Sequence, residues 1–576
     1  MRADIVQGVQ ALGIAAGDTA FVHSSLSAFG HVEGGADTVV DALLEALGEG
    51  GTLCVPTFQN SFFGGGPEQV WDREQTPSDM GVISETVRTR PGSLRSSHAP
   101  HPVNALGAAA QEITRGENKA DFAFDSPFWK LLERDAWIVM LGTDWGSCTT
   151  IHLLEEIAEI DYRHWVDLKG TVVIDGKPTT RSYPFLKRHP GVRNDFGPLG
   201  ARMESDGLVQ EVTIGDARVR AYRARDLFHT GYNALRRDPL AVVSDDTKDR
   251  ARMHLPDYNA LLDERSTRAM TFHAPAHPTA HALSDVLRIV RADAEPEVEL
   301  RNRWELSDGV ILEELRLRGG PNEMVPAMFA YPKGKRKPMP AAICLHGTSG
   351  ISERLMVERF ERRGAALWGW GRELARRGFA SLAITQLVHP PRPEPSNGEW
   401  ARLWPTYGLT SMGQLVGDVL FAVDFLRTRE QVDADRISAL GFSLGGIAAF
   451  YAFAVDDRIA AAVPFCGGVG SIRELIRTGA TGYHSVYFYP PDLIRDGLDH
   501  PNLVPAITDR SLLVCGKRGD IGMPFAGLQA FIKAAERGYT DAGNGRKFKT
   551  FIQDGDHEMT PEAFEEAVTF MKKQLG

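Results

Sequence analysis

Cysteine is scarce and unpatterned in this chain: five residues in 576, at 54, 148, 344, 466 and 515, with no C-x-x-C spacing. That excludes a disulfide scaffold and a thiolate metal motif, and it fits reduced, buried thiols in a cytoplasmic protein. Long hydrophobic runs are missing too, so no membrane-spanning helix is expected. The start, MRADIVQGVQALG, lacks the basic end and continuous apolar core of a secretion signal. Positive charge is in deficit, with a formal net charge of −11. This balance argues against a nucleic-acid partner and tolerates a small cationic substrate. The basic cluster KGKRK at 333–337 lies between two strand-like runs and stops at Pro338, which reads as a solvated turn. No internal repeat or low-complexity segment is visible.

What is present is the composition of a globular protein, 43% hydrophobic and 24% charged. The length exceeds what one hydrophobic core serves, so two large domains are expected. The first half opens with a helical pattern at Ile5, Val6, Val9 and Leu12. Strand AFVHSS, helix ADTVVDALLEALG and strand TLCVPTF follow, an α/β layer arrangement. From about 236 to 283 the chain is polar, proline-dotted and histidine-rich, with no strand pattern. Its histidines (254, 273, 277 and 281) lack a ligand spacing, so the stretch reads as a solvated linker. The expected division is residues 1–262, a linker at 263–284, and residues 285–576. In the last part VELRNRWEL and VILEELRLRG resemble paired strands, and helix–strand units continue to PEAFEEAVTFMKKQL.

RISALGFSLGGIAAFYAFA, from 436, contains G-x-S-x-G at Gly441, Ser443 and Gly445. ISAL has strand character and GGIAAFYAFA is a helix of small residues. Ser443 therefore falls on a sharp strand-to-helix bend that lifts its hydroxyl clear of a sheet. A serine hydroxyl is a poor nucleophile at neutral pH and needs a base and an orienting acid. Both follow in chain order. Strand SLLVCG leads into KRGD, which puts Asp520 at its end, and FKTFIQ leads into DGDHEM, which puts His557 before the last helix. Asp554 and Asp556 are less suited as the acid because they share the histidine's own loop. About residues 285–576 resemble the α/β-hydrolase superfamily, in particular its dienelactone-hydrolase-like and acetyl-esterase-like branch. The resemblance implies that Ser443 attacks, His557 transfers the proton and Asp520 holds the imidazole. It also implies that the oxyanion meets the Leu444 N–H and an N–H of the HGTSG turn, that of Thr348. His346 in that turn is expected to shape the loop. The connection ITQLVHPPRPEPSNGEWARLW is long and proline-rich, and is expected to wall or cover the pocket.

In the first half, TTIHLLEE (149–156) sets His152 and Glu155 one helical turn apart, just after the apolar run WIVMLG. Residues i and i+3 share a helix face, so Glu155 can take the proton-bearing nitrogen of His152 and leave the other free to accept a proton. A metal site would want further ligands at readable spacing, and none lies nearby. The residues alone leave a surface contact and a base with its partner both open, though strand ends are where sites gather. Seven pieces run in order through about residues 1–235: GDTAFVHSSLSAFG, GG with its helix, GTLCVPTF, TPSDMGVISETVRTRPG, RSSHAPHPVNALG, DSPFWKLLERDAWIVMLG and TTIHLLEE. Together they resemble the aminoglycoside 3-N-acetyltransferase family. The resemblance implies an acyltransferase that uses acetyl-CoA or another acyl-CoA as co-substrate and no metal. It makes His152 the general base for the acceptor amine, with Glu155 its partner. Ser24, Ser25, Arg95 and Ser96 would seat the thioester and pantetheine arm. His98 and His101 are the second choice as base or acyl-site contacts, and Cys148 is read as core packing. The family's RS-x-HP…S pattern is altered here to RSSHAPHPVN, with Pro102 and Asn104, which leaves the acyl chain of the donor open.

The combined expectation is an α/β chain of two domains, an antibiotic-acetyltransferase-like domain followed by an α/β-hydrolase domain. Its function would be bifunctional: N-acylation of an aminoglycoside-like or other small amine, and serine hydrolysis of an ester or amide. The alternative is a serine hydrolase whose first half only binds a CoA-like or cationic ligand. A third arrangement has the hydrolase cutting the product of the transferase.

Overall fold

The structure, a computed structural model, describes the chain outside residues 65–68, 117–120, 123, 256–259, 261–276, 290–295, 321–322, 335–336, 349–368, 388–391, 393–402 and 485–487. Most of the proline-rich connection expected to cover the hydrolase pocket, and linker His273, thus lie outside the described residues. The chain divides into two compact units, Met1–Leu255 and Pro256–Gly576. The helix Pro278–Leu287, which begins within the stretch read as linker and runs past its expected end at 284, packs into the core of the second unit through Leu283 and Leu287.

The first unit contains strands β1 (Thr19–Ser24), β2 (Thr52–Pro56), β3 (Val70–Asp72), β4 (Leu94–Arg95), β5 (Val103–Gly107), β6 (Trp137–Leu141), β7 (Arg163–Ile174), β8 (Lys177–Arg188), β9 (Gln210–Ile214) and β10 (Ala217–Arg223). Seven of them form a mixed sheet in the order β4-β5-β2-β1-β6-β10-β9. The centre, β2-β1-β6, is parallel, and antiparallel strands flank it on both sides. This placement follows from composition: WIVML in β6 is buried along its whole length, as a strand covered on both faces must be. Helices Arg2–Ala11 and Gly35–Leu47 bury Ile5, Val9, Val39 and Leu43 against one face of the sheet. The second sheet is β3-β7-β8, dominated by a long hairpin. Its turn is Asp175-Gly176, with φ of 49° and 71°, the two consecutive left-handed residues that a tight hairpin turn demands. Phe62, Trp71, Leu168, Val172 and Tyr183 make a small core under this hairpin.

The second unit contains β11 (Glu297–Glu305), β12 (Val310–Gly320), β13 (Glu323–Pro332), β14 (Met339–Leu345), β15 (Ala380–Ile384), β16 (Val432–Phe442), β17 (Ile459–Phe465), β18 (Ser511–Lys517) and β19 (Phe548–Gln553). They form one sheet in the order β11-β12-β13-β15-β14-β16-β17-β18-β19. The first four strands in that order are antiparallel, and β15 through β19 run parallel. The order reverses at β14, which has β15 on one side and β16 on the other. In open parallel sheets, ligands bind outside the carboxyl ends of the strands at such a reversal.

Candidate active sites

At that reversal in the second unit, Ser443 joins β16 to the helix Leu444–Val455 with φ 56° and ψ −118°. A non-glycine residue held there costs about 1–3 kcal/mol, which the surrounding structure must offset. Space around it explains the flanking glycines. A Cβ on Gly445 would lie 2.2 Å from the Leu345 carbonyl oxygen at the end of β14, and one on Gly441 would lie 2.0 Å from the Gly445 carbonyl oxygen. The helix behind the bend is buried at every residue, so the turn is anchored and cannot relax outward.

Ser443 Oγ lies 2.9 Å from His557 Nε2, and His557 Nδ1 lies 2.7 Å from Asp520 Oδ1. The same carboxylate oxygen accepts the Gly522 N–H at 2.7 Å, which fixes its orientation. Asp520 is nearly enclosed, whereas the His557 ring is 22% exposed and can reach a ligand. Asp554 points away to pair with Arg518 at 2.8 Å and is 88% exposed. Leu444 opens the helix, so its N–H is one of the unsatisfied donors of the first turn. The 346–348 turn approaches from β14: a Cβ on Gly347 would lie 3.2 Å from the Ser443 Cβ, and Thr348 is half-buried beside it. His346 is locked within its loop. Its Nε2 accepts the Gln386 N–H at 3.2 Å, so Nδ1 carries the proton toward the Gly347 carbonyl at 3.0 Å.

In the first unit the strand β6 delivers the chain to the helix Ile151–Ile157, which carries His152 and Glu155 on one face. His152 Nδ1 bonds to Glu155 Oε2. Glu155 is 1% exposed and fully engaged. Arg163 contacts it at 2.8 Å, and Tyr162 Oη and Asn194 Nδ2 each donate to Oε1 at 2.6 Å. Burial opposes ionisation of this carboxyl, but Arg163, His152 and the Tyr162 hydroxyl outweigh it and hold the pKa down to about 2. Burial also lowers the His152 pKa, with Glu155 pulling the other way and Arg163 adding to the lowering. The imidazole is therefore neutral at neutral pH, with Nε2 left to take a proton.

His152 borders a cavity of about 390 Å³, together with Phe63, His101, Asp121, Phe122, Phe185 and others from the end of β8. His98 and His101 bring Nδ1 to 3.0 and 2.9 Å from Asp121 Oδ1, ion-pair distances without the alignment of a hydrogen bond. His98 is buried behind the cavity, and burial lowers its pKa to about 4; His101 reaches the cavity itself. Ser24 and Ser25 border a separate open cleft of about 610 Å³ with Ser27, Gly81 and Val82. Arg95 and Ser96, expected at the thioester, are instead occupied by the protein. Arg95 donates to the carbonyls of Thr57 and Thr76 and lies over Trp71, while Ser96 Oγ accepts the Val103 N–H at 3.0 Å. Both are buried and hold their loop in shape. Cys148 is buried against Tyr222 Oη at 3.0 Å, and burial pushes its thiol up to about 11. Sequence reading missed Asp121, Tyr162, Arg163 and Asn194. Only Tyr162 and Arg163 left a signal, since they follow Glu155 closely in the same segment.

Comparison with known proteins agrees with this division. The profile described as Aminoglycoside 3-N-acetyltransferase matches residues 21–236, and that of the Dienelactone hydrolase family matches residues 325–488. Aminoglycoside N(3)-acetyltransferase VII of Streptomyces paromomycinus is 29% identical over 258 residues, covering 40% of this chain and 89% of the relative. Aminoglycoside N(3)-acetyltransferase IV of Salmonella sp is 30% identical over 250 residues, covering 42% of this chain and 90% of the relative. YtaP of Bacillus subtilis (strain 168), which carries a hydrolase name, is 29% identical over 268 residues, covering 46% of this chain and 88% of the relative. The chain thus belongs, through its first unit, to the aminoglycoside 3-N-acetyltransferase family, and its second unit carries a dienelactone hydrolase domain with the α/β-hydrolase fold.

Proposed function

We propose that the protein is a bifunctional enzyme: an acyl-CoA-dependent N-acyltransferase in the first unit and a serine hydrolase of an ester or amide in the second. The observation that carries the first half is His152 on the wall of a cavity while a buried, ionised Glu155 holds its Nδ1. An alkylammonium cannot attack a thioester, so His152 Nε2 first takes a proton from the acceptor. The free amine then attacks the thioester carbonyl, the C–N bond forms, the C–S bond breaks, and coenzyme A leaves as a good leaving group. No acyl-enzyme is needed. The open cleft at Ser24 and Ser25 supports a place for the donor, and acetyl-CoA is the first donor to try.

In the second unit His557 takes the Ser443 proton as Oγ attacks the carbonyl, and returns it to the departing alcohol or amine. Water then attacks the acyl-serine by the same route in reverse. Asp520 keeps the imidazole oriented and offsets its transient charge. Leu444 and Thr348 N–H groups are the proposed oxyanion donors. Both halves are tested on the whole protein. Thiol release from acetyl-CoA with a panel of amines reports transfer, and parental rates in His152→Ala would sink the base assignment. A fluorophosphonate probe should label the protein at Ser443, and equal labelling of Ser443→Ala would sink the nucleophile.

A further inference from the structure

The cavity beside His152 has walls that suit a polycation poorly. Among the described residues three carboxylates border it, and the protein already meets each of them. Asp121 faces His98 and His101, Glu155 faces Arg163, Tyr162 and Asn194, and Glu156 accepts the Phe122 N–H at 3.2 Å. The cations are placed differently. Arg163 is committed to Glu155. Lys187 and Arg188, at the end of β8, border the same cavity and are exposed. Among the described residues neither side chain has an ion-pair or hydrogen-bond partner.

Register sharpens the point. Arg188 lies directly opposite Arg163 across the β7–β8 ladder. Like charges paired directly across an antiparallel ladder destabilise it, unless an anion sits between them. Partial desolvation and then the Arg163 charge lower the Arg188 pKa, while Glu155 and Tyr162 pull it the other way. The nearby Glu155 offsets part of this repulsion, but its oxygens are taken by His152, Arg163, Tyr162 and Asn194, and it makes no ion pair with Arg188 among the described residues. Beside the histidines 101, 152 and 189, the other described walls are apolar: Phe63, Phe122, Phe185, Leu186 and Val192. At about 390 Å³ the cavity falls at the small end of ligand sites.

We infer that the acceptor amine sits on a compact apolar or aromatic body that also bears an anionic group, and that Arg188 and Lys187 read this anion while the amine faces His152. A guanidinium binds a carboxylate or phosphate through two parallel hydrogen bonds, so Arg188 would supply most of the discrimination. The inference rests on the proposed transfer reaction for its direction, but its test does not. Binding of para-aminomethylbenzoate, benzylamine and a polycationic aminoglycoside to the whole protein is measured by calorimetry without acyl donor. The amino acid should bind about tenfold more tightly than benzylamine and more tightly than the aminoglycoside. The advantage should shrink with added salt. Arg188→Gln and Lys187→Gln should each reduce it, and Arg188→Lys should keep part of it, with melting temperatures confirming that the variants fold. Equal binding of the acid and benzylamine, or tighter binding of the aminoglycoside, would overturn the inference. So would an undiminished acid preference in the Gln variants accompanied by weaker coenzyme A binding, since the cations would then read the donor's phosphates. Failure of the transfer reading looks different: no thiol release with any acceptor.

Discussion

His152 and Glu155 form a pair whose chemistry is set by burial. A carboxylate held ionised beside a desolvated imidazole keeps one ring nitrogen occupied and the other basic. Removing His152 should cost roughly a hundred- to ten-thousand-fold in transfer rate, measured as thiol release by His152→Ala against the parent. The pH profile carries a sign. Transfer needs neutral His152, and its pKa lies below 6.5, so the acid limb of the profile should fall below pH 6.5. Glu155 raises that pKa, and Glu155→Gln should therefore move the limb further down while lowering the plateau rate. A limb moving upward would contradict the assigned contact. In the other unit Asp520→Asn removes the charge that fixes the imidazole tautomer and offsets the imidazolium, and ester hydrolysis should drop roughly ten-thousand-fold, read with a chromogenic acetate ester.

Two elements control these residues. The bend from β16 to the helix Leu444–Val455 tolerates no side chain at 445, because a Cβ there would meet the backbone of β14. Backbone cannot swing aside as a flexible side chain can. Gly445→Ala should thus displace the bend, abolish fluorophosphonate labelling, and lower stability by about 1–3 kcal/mol in a denaturation curve. This element was legible in the sequence, since G-x-S-x-G between a strand pattern and a small-residue helix has few other uses. The β7–β8 hairpin was not. Its residues Arg163, Leu186 and Arg188, with His189 just after it, wall the cavity beside His152, yet no motif in the chain announces them. A hairpin's register is decided by its turn and by what it packs on, here Asp175-Gly176 and the cluster around Trp71 and Tyr183.

Each unit has its own hydrophobic core, and the two proposed reactions fall one to each unit. Blocking Ser443 with a fluorophosphonate should accordingly leave thiol release at the parental rate. Accumulation of acylated product only in Ser443→Ala would show instead that the hydrolase consumes what the transferase makes. The units should also respond differently to acid. Burial lowers the pKa of His23 to about 3 and of His98 to about 4, and lowers that of His152. The unfolded chain takes up these protons near pH 6.5 while the folded unit resists, so stability is full above pH 6.5 and falls as the pH drops toward 4. The second unit has His500, lowered to about 4, and the less buried His484. Calorimetric scans between pH 7.5 and 5 should show the first unit's transition falling faster (about pH 7.5 and 5 bracket the unfolded histidine value).

Local order was readable without coordinates: the α/β layering, the presence of two domains, the serine on its bend, Asp520 and His557 at the next strand ends, and the histidine–glutamate pair on one helix face. Each depends on neighbours within a few residues or on a regular period, which is how backbone geometry imprints itself on a chain. Folding alone settled the rest. Arg95 bonds to the Thr57 and Thr76 carbonyls and Ser96 to the Val103 N–H, contacts that no local pattern announces. Asp121 and Arg188 came to the cavity beside His152 from distant stretches, a loop and a hairpin, and Asn194 came to Glu155 behind it. Charge at a site is a sum over such arrivals. An acidic chain can therefore enclose a pocket in which, among the described residues, the charged side chains without an ion-pair partner are the basic Lys187 and Arg188.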